Sequence, residues 1–365
     1  MKKYCVKPFN AIRLVNNVNG VYQYQPCCHY RHAGKFGSVD EYLNSAALAT
    51  LQNHFLTKNH LPSGCEHCEN YEAEGHDSTR LLANRMNAPV TETKITEIEI
   101  FPSNSCNLSC VMCQPRYSTG VGLEYKKLGW VEKVIAVDNK SEILKDLVQL
   151  PHLDKLTIIG GEFFLAKSCL DIIDFAIERK LLMSFVTNAT VINEKHLEKL
   201  KLVSKLDITI SIDGLDSEYE FIRYPAKWST VESNIDLLRQ QLPHAKVHVN
   251  AVAQLLNIQS VDKLIDWCNR RLLPMTLVPL SGAEWLGWQV LTMEEKQMVA
   301  NQITQMVATG KLTKQQKSAL LQFANNIKQS AFDPVLRNEC TSKLATLAKL
   351  RHLAIPSKTK ELMHL

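Results

Sequence analysis

Apolar and polar positions follow two rhythms along this chain. From about residue 94, short apolar runs read as strands: 95–101, 155–159, 182–187, 206–212, 246–253 and 275–280. Between most of them apolar residues recur at helical spacing, over 170–179, 194–202, 231–240 and 261–271. Strands alternating with helices predict a parallel sheet with right-handed crossovers. Six such units fall short of the eight that close a TIM barrel. Residues 114–150 are too long for a simple connection, and 130–137 and 141–150 read as helical. After Leu280 the alternation gives way to helical patterns over 292–307, 313–330 and 338–350, with Thr292 and Thr313 as N-caps.

The first 90 residues read differently. Asn19-Gly20 is a turn signal between Ile12–Val15 and Val21–Tyr24, which predicts a hairpin. Residues 39–58 carry apolar side chains at helical spacing (Tyr42, Leu43, Leu48, Leu51, Phe55), and Pro62 and Gly64 then break the chain. Three parts result: residues 1–90, a barrel over 91–285, and a helical extension over 286–365.

Composition narrows the function classes. With 365 residues, 45% hydrophobic and 22% charged, the chain can bury a sizeable core. A net charge of +5 does not argue for nucleic acid, and no aromatic-plus-basic stacking motif is present. No apolar run approaches the roughly 20 residues of a membrane span. Met1-Lys2-Lys3-Tyr4-Cys5 lacks a following apolar stretch, so no signal peptide is expected. Eleven cysteines, many at short spacing, suit metal ligands in the reducing cytoplasm better than disulfides.

Three of those thiols, Cys106, Cys110 and Cys113, stand at C-x3-C-x2-C spacing directly after the first strand of the alternating region. Three thiolates on one loop suit a four-iron cluster with one iron unclaimed, or a partial zinc site. A second group comprises Cys5, Cys27 or its neighbour Cys28, and the pair Cys65 and Cys68; four thiolates there serve zinc and iron–sulfur equally well. Cys169, Cys268 and Cys340 lie in helical patterns and read as core thiols, with a hydrogen-atom donor as the sharper alternative.

Ligands in parallel α/β folds gather at the carboxyl ends of strands. There the sequence places Gly160-Gly161-Glu162, then Asn188, then Ser211 and Asp213, with Arg223 following and Asn250 on the fifth strand. Two glycines admit close approach of a ligand to backbone, the glutamate accepts from a cation, and a guanidinium fork suits a carboxylate.

The thiol loop followed by Gly-Gly-Glu at the end of the next strand resembles the radical S-adenosylmethionine (SAM) superfamily. Met112 stands where many members carry an aromatic residue, and Phe163 where a proline is usual. The resemblance implies a partial (β/α)6 barrel and a [4Fe-4S] cluster on Cys106, Cys110 and Cys113 whose free iron is chelated by SAM. It further implies that Gly160, Gly161 and Glu162 contact the SAM ammonium, that Asn188, Ser211, Asp213 and Asn250 lie along the cofactor, and that Arg223 meets its carboxylate. Reductive cleavage of SAM to a 5′-deoxyadenosyl radical and hydrogen abstraction from a substrate would follow. Cys5, a glycine turn, Pro26-Cys27-Cys28, Tyr42 on a helix, Cys65 and Cys68, then Glu72, Gly75, Ser78 and Arg80 resemble the SPASM/twitch auxiliary-cluster modules of peptide-modifying members. In most such enzymes that module follows the barrel; here it precedes it. A second [4Fe-4S] cluster, a peptide or protein substrate, and a flavodoxin- or ferredoxin-type electron donor are thereby implied. The alternatives are radical modification of a small molecule or RNA, and a non-enzymatic iron–sulfur or zinc protein.

Overall fold

The computed structural model describes residues 3–16, 22–32, 34–73, 77–138 and 140–365. The Asn19-Gly20 turn and Gly75 lie outside them. Two compact units emerge: Met1–Asn104 with Ala136–Phe185 and Lys195–Leu206, and Ser105–Ile135 with Val186–Glu194 and Asp207–Leu365.

In the first unit, β1 (Ala11–Asn16), β2 (Tyr22–Gln25) and β3 (Gly34–Lys35) form an antiparallel meander. The expected hairpin is therefore present, Arg13 facing Gln25 and Leu14 facing Tyr24. Parallel to β1 runs β4 (Glu97–Ile100), with Ile12 opposite Ile98. Then come β5 (Lys155–Ile158) and β6 (Leu182–Thr187), also parallel, giving the order β3-β2-β1-β4-β5-β6. Burial alternates along β4, β5 and β6, as a period of two requires when one face of a strand is more deeply packed.

Residues 39–58 fold as two helices rather than the one expected. Ser45 accepts a hydrogen bond from Leu48 N and so caps a fresh helix, Ala46–Thr57, two residues after Val39–Leu43 ends. Beneath it Phe9, Leu51, Phe55 and Leu61 pack with Cys5 and Cys68 in one apolar cluster.

In the second unit, β7 (Lys205–Ser211), β8 (Lys246–Ala253) and β9 (Met275–Pro279) are parallel, Ser211 lying opposite Asn250. Helices Trp228–Gln241 and Val261–Arg270 connect them. Six strands, β4 to β9, thus alternate with helices along the chain. This is the mixed α/β class read from the sequence, and it matches the partial (β/α)6 barrel.

Helices Met293–Thr309 and Lys314–Gln329 both begin with capping boxes, on Thr292/Glu295 and Thr313/Gln316. The last long helix starts at Pro334, earlier than its apolar pattern suggested, because Asp333 accepts from the amides of Val335 and Leu336. One expectation fails locally. Residues 130–137 are irregular, and the helix sits instead at Thr119–Lys127, where Ser118 accepts from Val121 N.

Candidate functional site

The loop 106–113 in the second unit takes its shape from two sides. Ser109 N donates to Tyr224 O (2.6 Å) and Val111 N to Ile222 O (2.8 Å), as in a short ladder with the segment after β7. On the other side, the start of helix Thr119–Lys127 meets the loop. Cys106 N donates to Thr119 Oγ1 (3.1 Å), and Ser118 Oγ donates to Leu108 O (2.8 Å). Gly120 is required here: a Cβ would lie 2.5 Å from Leu108 O. Cys113 N closes the loop on Cys110 O at 3.0 Å.

Two side chains point donors at the thiols. Asn188 Nδ2 lies 3.9 Å from Cys106 Sγ and 3.1 Å from Asn107 Oδ1, while its own Oδ1 accepts from Thr190 N. Arg223 lies 3.9 Å from Cys110 Sγ through one terminal nitrogen, and its Nε donates to Asp213 Oδ2 at 2.7 Å. Asp213 has no exposure, and its second oxygen accepts from Val252 N at 2.7 Å. Burial works against the Arg223 charge, but Asp213 and Cys110 outweigh it and hold the guanidinium above its ordinary pKa. Burial pushes Cys113 up to about 11 and Cys110 higher still, with Arg223 opposing at Cys110. Thiols in such a setting keep their protons unless a cation replaces them.

Of the residues singled out from the sequence, Cys106, Cys110, Cys113, Asn188, Asp213 and Arg223 thus form one connected group in the second unit. Ser211, the last residue of β7, lies opposite Asn250, three residues before the end of β8. Gly160, Gly161 and Glu162 belong to the first unit. Gly160 has φ +92°, and a Cβ on it would sit 2.4 Å from the Phe101 ring. Glu162 is buried and accepts from Phe164 N, starting the short turn Phe163–Leu165.

The N-terminal thiols share one electrostatic environment. Burial pushes Cys5 up to about 12, and the charges of Cys27 and Cys68 add to that. Cys65 is raised by burial and then by Cys27, Cys5 and Cys68. Cys28, raised to about 12 by burial, feels Cys27, Glu99 and Arg13 instead. Its backbone carbonyl accepts from Arg13. A polar frame holds Cys5 in place: Arg80 donates to Tyr4 O (2.6 Å) and to Glu72, which also accepts from Ser78 Oγ, while Asn84 binds Tyr4 O and Val6 N. Asn84 gave no signal in the sequence; an asparagine mid-helix, four residues after Arg80, was the only clue. Among the described residues no three His, Cys, Asp or Glu side chains stand close enough to form a ready-made metal site.

What fits a cluster is the donor chemistry: three thiols on one braced loop, with N–H groups aimed at two of the sulfurs, as cluster sulfurs commonly receive. Arg351 and Glu124 were missed altogether. Arg351 donates to Glu124, to Ser109 O (2.6 Å) and to Phe221 O (2.9 Å), all within the second unit.

Residues 100–268 match the model of the radical SAM superfamily. Among curated proteins, a GTP 3′,8-cyclase of Synechocystis is 24% identical over 179 residues, which are 48% of this chain and 51% of that protein. An uncharacterised protein of Methanocaldococcus jannaschii is 28% identical over 119 residues, 31% of this chain and 37% of its own length. The chain therefore spans about half the length of these relatives, or less. Among solved structures, anSMEcpe with bound AdoMet and the Cp18Cys peptide is 17% identical over 58% of this chain and 60% of its own, with a TM-score of 0.43. SuiB of Streptococcus suis bound to the precursor peptide SuiA is 14% identical over 69% and 53%, with a TM-score of 0.43. Among the described residues no helix is long and apolar enough to cross a membrane.

Proposed function

We propose that this chain is a radical SAM enzyme whose cluster is held by Cys106, Cys110 and Cys113, a reading supported by the match of residues 100–268 to the radical SAM superfamily model. The observation that carries this is the braced thiol loop with Asn188 and Arg223 directed at two of its sulfurs. When bound, a four-iron cluster with SAM on its open iron supplies reductive SAM cleavage and hydrogen abstraction from the substrate.

The chain's own residues have separate tasks. Arg223 balances the negative charge of the thiolates, and Asp213, fully buried beside it, holds the fork in position. Asp213 is thus proposed as a positioning residue rather than one that touches SAM. Asn188 donates towards Cys106, while Ser211 and Asn250 offer polar groups at paired positions on neighbouring strands. Gly160, Gly161 and Glu162 are proposed for the SAM ammonium. Arg351, through Ser109 O, fixes the loop's middle.

We assign Cys5, Cys27, Cys65 and Cys68 to a second, auxiliary cluster in an N-terminal module (1–90) ahead of the barrel (91–285) and helical extension (286–365). The mutual influence of these four thiols supports this set, and with it Cys27 over Cys28. The substrate proposed is a peptide or protein side chain, from the resemblance of that module to SPASM/twitch modules, with an external flavodoxin- or ferredoxin-type donor. A small-molecule substrate is the second reading, favoured by the match to a GTP 3′,8-cyclase.

Anaerobically reconstituted protein with dithionite and SAM is expected to release 5′-deoxyadenosine and to hold about eight irons, from two four-iron clusters. Iron near four with SAM cleavage intact would remove the auxiliary cluster. No 5′-deoxyadenosine from iron-loaded protein would end the enzymatic reading. Adding a candidate peptide or GTP to the same assay, and following label transfer into either, separates the two substrate classes.

A further inference from the structure

Away from the thiol loop, the second unit carries a polar cleft of about 510 Å³. Its walls come from the start of helix Val261–Arg270, the last turns of Met293–Thr309, the segment after it, and Lys358. The volume is in the range of small-molecule sites, roughly 300–1,000 Å³.

Four features of the cleft agree. Lys263, Lys311 and Lys358 bring three ammonium groups to it. Lys358 donates to Gln259 O, whereas Lys263 and Lys311 are exposed and their ammonium groups make no hydrogen bond or ion pair among the described residues. Helix Val261–Arg270 has no side-chain cap: Ser260 Oγ donates towards Glu218 and Asn257 O and accepts from none of the helix's first amides. Lys263 N donates to Ser260 O, which leaves the amides of Val261 and Asp262 at the helix start, where an anion is favoured. Gln259 is 7% exposed and lines the cleft. Its Nε2 donates to Gln302 Oε1 (2.9 Å), but its own Oε1 is buried with no partner. A buried acceptor without a donor is unfavourable, and a hydroxyl reaching it from the cleft would satisfy it. The opposing charges are Asp262 and Glu218; Asp266 is held by Arg270.

We propose that this cleft binds a small phosphorylated molecule that also bears hydroxyl groups, of the sugar-phosphate class. Lysines bind phosphate as point charges, and the open helix start adds amide donors. A hydroxyl donates to Gln259 Oε1, and Ile265, Met306 and Leu312 provide the apolar wall for a carbon skeleton.

Calorimetric titration of the full, cluster-loaded chain with ribose 5-phosphate, ribose and inorganic phosphate tests the site. Ribose 5-phosphate is expected to bind saturably and ribose not at all. The Lys263→Gln/Lys311→Gln double variant should weaken ribose 5-phosphate by about tenfold or more, the loss of two charge-assisted contacts. Gln259→Leu should weaken it several-fold without changing the response to inorganic phosphate. Both lysines are exposed, so their replacement spares the core; an unchanged thermal midpoint checks this, and Lys311→Gln alone serves if the double variant does not fold. The proposal is overturned if ribose 5-phosphate fails to saturate, if ribose binds equally well, or if the lysine variant titrates like the parent. Release of 5′-deoxyadenosine by the same preparation reports on the radical chemistry separately, so either idea can fail alone.

Discussion

Arg351 and Glu124 form a buried two-bond fork, Nε to Oε1 at 2.9 Å and the second nitrogen to Oε2 at 2.7 Å, between residues 227 positions apart in the chain. The remaining donors of the same guanidinium reach Ser109 O and Phe221 O. One side chain from the last long helix thereby braces the thiol loop and the segment that ladders with it.

Removing one member of this pair strands the other. Arg351→Met is expected to cost about 3–5 kcal/mol, as for other buried charges left unpaired. The double variant with Glu124→Leu should recover a good part of that, since no charge is then left buried. Urea denaturation of the three variants checks it, and equal losses for single and double would mean the pair is not coupled.

Gly160→Ala meets two obstacles at once, φ of +92° and the Phe101 ring 2.4 Å from the new Cβ. A destabilisation of about 1–3 kcal/mol is expected from forcing a non-glycine residue into that region. A melting temperature equal to the parent's would show that Phe101 swings aside and that the backbone relaxes.

Arg223→Lys keeps the charge but loses the fork shared between Asp213 and Cys110. SAM cleavage should fall by about 10–100-fold, the usual effect of losing a partner to a metal ligand. A changed reduction potential or electron paramagnetic resonance spectrum of the reduced protein would accompany it. Lost activity with an unchanged signal would instead place Arg223 away from the sulfurs.

Cys27→Ser and Cys28→Ser separate two adjacent thiols. Iron per chain should drop by about four, one cluster's worth, for the first and stay at the parent's level for the second. The reverse result would reassign the ligand.

Glu218 provides a pH signature. Burial raises its carboxyl from 4.5 to about 7, with Ser260, Lys358 and Lys263 opposing. The folded chain then keeps a proton that the unfolded chain releases, so this contribution is complete below about 4.5 and fades as pH rises through about 7. Relative to Glu218→Gln, the parent should lose stability as pH climbs from 5.5 to 7.5 across this window. Parallel stability curves would show that Glu218 is solvated.

All six barrel strands were legible because each is a short apolar run bounded by turn residues, and tertiary packing did not overrule it. Cap chemistry located two C-terminal helices at Thr292 and Thr313. It could also have found Ser118 and Ser45, whose hydroxyls, rather than any hydrophobic period, decide where helices start. The thiol loop was visible because its spacing is local. Arg351 was not, since nothing along the chain says that a late arginine will meet a glutamate 227 residues earlier. Asp213 and Arg223 were both picked out, but their attachment to each other depends on a turn whose shape the residue pattern does not carry.

The parallel seam between β1 and β4, Ala11 on Glu97 through Arg13 on Glu99, makes the cysteine-rich beginning of the chain a structural neighbour of the barrel's opening strand. Cutting at residue 90 would bare a row of unpaired amides and carbonyls on β4, an invitation to self-association. The two cysteine regions are therefore expected to be inherited, expressed and lost together, and a detachable cassette is the wrong picture of the front end.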